Sequence, residues 1–191
     1  MNIGTEVKNI VLTAMFIALI FIAITFFRIP NGFGGIIHVG DGIIFLAATL
    51  LPMPYAMLAA SLGAGLMNFT AGLFMFLPFT LVIKPLLAIF FTNRGKSILN
   101  IRNTTAPFSA GILNTVLYFF ANAIIFDGLT LRALIQGETS FINWVVAIQA
   151  IPGLLIQAGG SVIVFFILAK AMDVLGLKER FGLHNSSKSS I

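Results

Sequence analysis

Residues 41–55 read Asp-Gly-Ile-Ile-Phe-Leu-Ala-Ala-Thr-Leu-Leu-Pro-Met-Pro-Tyr, and they open a stretch that reaches Lys84 without another charged residue. One membrane helix takes about 20 apolar residues, so this stretch is too long for a single span. Pro52 and Pro54 each lack a backbone donor and place a turn at Leu51–Pro54. The reading is a short helix over about 41–51, a second over 55–72, and a third over 73–92 that contains Lys84-Pro85.

Working outward, the apolar run between Lys8 and Arg28 supplies a helix over about 9–28. On the C-terminal side, 104–126 supplies another, and Pro152-Gly153 marks the start of a last helix over 152–173. The expected fold is all-α: one integral membrane domain over 1–191 with six transmembrane helices. An even count puts both termini on one side, together with Arg94, Lys96 and Arg102. The excess of cations makes that side cytoplasmic. A five-helix count would move the N-terminus outside.

Composition agrees with a membrane location. The 191 residues are 59% hydrophobic and only 9% charged, against about 25% charged in soluble domains. The absence of cysteine excludes disulfides and thiolate metal sites. The net charge of +5 does not point to nucleic acid, because the cations cluster at helix ends. The first apolar run lacks a small-residue cleavage pattern and is read as a helix, not a signal peptide.

Polar residues within apolar helices mark candidate sites, because they are costly in lipid without partners. Asn114, Tyr118 and Asn122 recur at i, i+4 and i+8 and form one stripe. The stripe suits a small heteroaromatic ligand, and it suits hydrogen bonding between helices equally in kind. Asn68 lies near the end of its helix, and Gln149 and Gln157 flank Pro152. Asp41 serves as a helix N-terminal carboxylate or as the partner of Lys84 or of a cationic ligand. Lys84 faces a cavity or a carboxylate, or snorkels to the surface. His38 with Asp41 is too few ligands for a metal, and no metal or cofactor is expected.

Two outward segments, 28–41 with four glycines and 127–151 with Trp144, read either as lids over a cavity or as plain connections. In the first helix, Ala14 and Ala18 are one turn apart, a small-xxx-small pair that lets another helix approach closely.

Taken together, these features resemble the substrate-binding S components of energy-coupling factor (ECF) vitamin transporters. The resemblance is carried by Ala14-xxx-Ala18, by the Gly-rich segment leading into His38-Val-Gly-Asp41, by the Pro52/Pro54 turn and by Thr80-xxx-Lys84. It implies a subunit in the prokaryotic cell membrane that binds a vitamin from outside. Ala14 and Ala18 would dock it on a transmembrane T subunit driven by two cytoplasmic ATPases. The chain has no Gly-x-x-x-x-Gly-Lys-[Ser/Thr] motif of its own, so it is read as a non-enzyme powered by partners. The resemblance is nearest to the hydroxymethylpyrimidine and pyridoxine type, with riboflavin and pantothenate open. The implied substrate-binding set is His38, Asp41, Asn68, Lys84, Asn114, Tyr118, Asn122 and Gln149. An intramembrane enzyme lacks a nucleophile–base pair. A stand-alone transporter would need its own coupling, and a ligand-free scaffold leaves the stripe without a purpose.

Overall fold

The computed structural model describes residues 3–30, 36–126 and 144–183. Its elements are α1 (Ile3–Phe26), a hairpin of β1 (Arg28–Pro30) and β2 (Ile36–His38), α2 (Asp41–Leu50), α3 (Met53–Thr70), α4 (Leu77–Leu87), a 3-10 turn (Ala88–Phe90), α5 (Ile101–Phe126), α6 (Val145–Val174) and α7 (Leu177–Arg180). Among the described residues, three helices are long and apolar enough to cross a membrane: α1, α5 and α6. Two further apolar helices are shorter, Asp41–Leu50 and Leu77–Phe90.

The proline pair acts as expected. Leu51 is extended, with φ −95° and ψ 152°, which is where a residue preceding proline is driven. Pro54 then falls in the first turn of α3, where a missing N–H costs nothing. Helix α2 buries nine of its ten residues, so it runs through the centre of the bundle and not along its rim. It packs against α1, α3 and α6, while α1–α3, α3–α4, α4–α5 and α5–α6 are neighbouring pairs. Helix α1 buries Thr13, Phe16, Ile20 and Ile24, one helical stripe, and leaves Val11, Ala14, Met15, Ala18 and Leu19 facing outward.

Helix α4 is shorter than the expected 73–92 because its flanks do not continue it. Gly72 takes φ +73° in the preceding turn, and the far end tightens into the 3-10 turn. Pro85 deprives the Leu81 carbonyl of its helical donor. Ser61 of α3 supplies one instead, its Oγ donating to that carbonyl at 3.1 Å. Helix α6 starts at Val145, well before the expected 152, and carries Pro152 inside it. Helix α1 starts six residues before the expected 9, while α2, α3 and α5 lie within three residues of the sequence reading. A two-stranded antiparallel hairpin, with Arg28 opposite His38, stands where the sequence reading has a lid or a plain connection. Residues 31–35 of the first candidate lid, 127–143 of the second and His184 in the tail lie outside the described residues.

One end of the bundle gathers the chain's basic segments. Lys8 donates to the carbonyl oxygens of Phe181 and, at 2.9 Å, of Gly182. Asp173 accepts from Ser97 Oγ and from the Ile98 and Leu99 amides at 2.6–2.9 Å. Lys96 pairs with Glu179 at 2.7 Å on the exposed surface. The first turns of α1, the loop over 93–100 and α7 therefore share this end. The Phe45, Phe91 and Phe165 rings pack together, with centroids 5.1–6.2 Å apart.

Candidate functional site

Asp41 is the first residue of α2, and Lys84 lies in the last turn of α4. Burial of both helices brings the two charges together: Lys84 Nζ donates to Asp41 Oδ1 at 2.7 Å, and each side chain is only 2% exposed. The ammonium also donates to Asn114 Oδ1 at 3.0 Å and sits 4.9 Å from the centre of the Tyr118 ring. The second carboxylate oxygen of Asp41 accepts from Gln157 Nε2 at 2.9 Å. Four elements, α2, α4, α5 and α6, thus meet on one ion pair. Its charges are compensated, the condition for holding them away from water.

A second chain of hydrogen bonds lies beside it. Asn68 Nδ2 donates to Thr80 Oγ1 at 2.6 Å, and Thr80 Oγ1 and the Tyr118 hydroxyl are 2.9 Å apart. Thr80 and Lys84 share a face of α4 by their i, i+4 spacing. Both networks border a cavity of about 40 Å³ whose polar wall is His38, Asn68, Thr80, Lys84, Tyr118 and Gln157. Ile36 and His38 of the hairpin form part of this wall. That volume holds a few water molecules and no vitamin. A ligand of vitamin size therefore requires the wall to move, and the two-stranded hairpin is its least supported part.

His38 is buried, and its Nδ1 has no hydrogen-bond partner among the described residues. Burial, opposed by Asp41 and helped by Lys84, lowers its pKa from 6.5 to about 4, so the imidazole is neutral at pH 7.

Of the sequence-selected residues, the structure brings His38, Asp41, Asn68, Lys84, Asn114 and Tyr118 together. Asn122 is buried, but its Nδ2 donates to the Tyr118 carbonyl of its own helix, and it is not on the cavity wall. Gln149 is exposed and away from the cavity. Gln157, two turns further along α6, lies on the cavity wall. Thr80 and Gln157 are the polar residues that the selected set left out. The signals were present as Thr80-xxx-Lys84 and as the second glutamine beside Pro152.

A helical membrane protein with a closed, charge-compensated polar site beneath a hairpin is the architecture expected of a small-molecule-binding subunit. Residues 4–173 match the family described as ECF-type riboflavin transporter, S component, and the chain belongs to that family. It is accordingly a substrate-binding membrane subunit of an ECF transporter for a vitamin, working with a T subunit and an ATPase module. The match corrects the expected subtype, since the family is the riboflavin type and not the hydroxymethylpyrimidine or pyridoxine type. Comparison with curated proteins and with solved structures gives no match.

Proposed function

We propose that this S component binds riboflavin in the cavity bounded by α3, α4, α5, α6 and the hairpin. The observation that supports this reading best is the buried network around Asp41 and Lys84, which lies within the matched riboflavin-type span. Its net charge is zero, as suits an uncharged ring, and Tyr118 and Phe76 in the wall add aromatic surface. Substrate contact falls to His38, Asn68, Thr80, Tyr118 and Gln157, with the ion pair behind them. The ligand enters from the hairpin side as the hairpin lifts.

In this reading the basic end of the bundle faces the cytoplasm, with six spanning helices and both termini inside. The outward face of α1, with Ala14 and Ala18 at its middle, docks on the T subunit. Two ATPases supply the energy, and the chain itself catalyses nothing. The setting is the prokaryotic cell membrane. The test is uptake of labelled riboflavin by cells carrying this chain with and without a T subunit and ATPase pair. Accumulation only with the full set supports the reading. Equal accumulation by the chain alone would favour a stand-alone transporter.

A further inference from the structure

Lysine only donates hydrogen bonds, and an ionised carboxylate only accepts them. This rule decides which end of each neighbouring carboxamide faces the ion pair. Asn114 must turn Oδ1 to the ammonium, 3.0 Å away, and its buried Nδ2 has no hydrogen-bond partner among the described residues. Gln157 must turn Nε2 to Asp41, 2.9 Å away, which leaves Oε1 for the cavity that Gln157 lines. Asn114 is not on the cavity wall, so Gln157 is the one of these two carboxamides that a ligand there meets. The two ends of a carboxamide have nearly the same shape, so packing alone would not choose between them. The charges do.

We propose that Asp41 and Lys84 are positioning residues that lock Gln157 as an acceptor, so that the site selects a neutral ring bearing an N–H. The proposal rests on the riboflavin reading, because the flavin ring has such a group: N3–H between two carbonyl groups. Pyridoxine offers no ring amide to this pattern.

The probes are riboflavin and 3-methylriboflavin, which replaces the N3 hydrogen by a methyl group. Both are titrated by flavin fluorescence against the purified chain in detergent. The unmodified protein should favour riboflavin by about tenfold or more, as expected when a buried acceptor loses its donor. Asp41→Asn combined with Lys84→Met keeps the site neutral but frees the Gln157 amide to turn, and the preference should fall below about threefold. Gln157→Met leaves the ion pair in place and should lower the preference equally. It also keeps the test decisive if the double variant does not fold. A preference that survives in either folded variant overturns the proposal, as does its absence from the unmodified protein. Failure of the unmodified protein to bind any flavin would instead overturn the riboflavin reading, and this inference with it.

Discussion

Lys84 and Asp41 show how one buried contact organises several helices. Lys84→Met alone strands a carboxylate that is 2% exposed, and loss of one partner from such a pair costs about 3–5 kcal/mol. The ligand-free single variant should therefore melt well below the parent in detergent, and Asp41→Asn/Lys84→Met should regain most of that loss. A single variant as stable as the parent would show that the charges do not meet. His38 adds a pH dependence of known sign. Its folded pKa of about 4 lies below the ordinary 6.5, so the unfolded chain binds more protons between those values. Its contribution to stability is fully present above about pH 6.5 and falls as pH drops towards 4. Melting temperatures of His38→Gln should be flatter than the parent's across that window, and parallel curves would contradict the assignment. The pairing of Asp41 with Lys84 was legible as one option among three, because an intramembrane lysine demands an anion and few are present. Gln157 lines the cavity and Gln149 does not, a difference the sequence hides for another reason. With a helix start read at Pro152, no helical phase relates the two glutamines, whereas α6 in fact runs through both.

Helices α3 and α4 owe their junction to proline chemistry. Ser61→Ala leaves the Leu81 carbonyl without the hydroxyl that replaces its helical donor, and should destabilise by about 1 kcal/mol or more. Unchanged thermal stability would mean that the carbonyl finds another donor. The contact between α1 and α3 is closer still. A Cβ at Gly63 would lie 2.8 Å from the Ile20 side chain and 3.0 Å from the Ile17 carbonyl oxygen. Gly63→Leu must push α1 away, and should lower expression or melting temperature far more than Leu at Gly159, where a Cβ meets nothing within 4 Å. The central helix and the turn at Pro52 were readable because proline and uniform hydrophobicity are local signals. The hairpin was not, since two three-residue strands owe their pairing to the bundle beneath them.

At the scale of the molecule, the two ends have different jobs. Cysteines placed at Lys96 and Ile29 should react with an impermeant reagent from opposite sides of the membrane, and labelling of both from one side would refute the topology. Ala14→Trp with Ala18→Trp changes only the outward face of α1, so it should impair assembly with the T subunit and uptake while leaving ligand binding by the isolated chain intact. Normal assembly would remove this face from the coupling role. The family was legible from the combination of the small-residue pair, the Gly-rich segment and the lysine, none of which is specific alone. The vitamin was not, because hydrogen-bonding side chains on one helix fit several small heteroaromatics equally.

The measurement that bears most directly on the central claim is a fluorescence titration of the purified, ligand-free chain with riboflavin, run beside pyridoxine and hydroxymethylpyrimidine as competitors. The account predicts saturable binding at one site per chain, quenched flavin emission and no displacement by either competitor. Absence of saturable riboflavin binding, or ready displacement by pyridoxine, would contradict it.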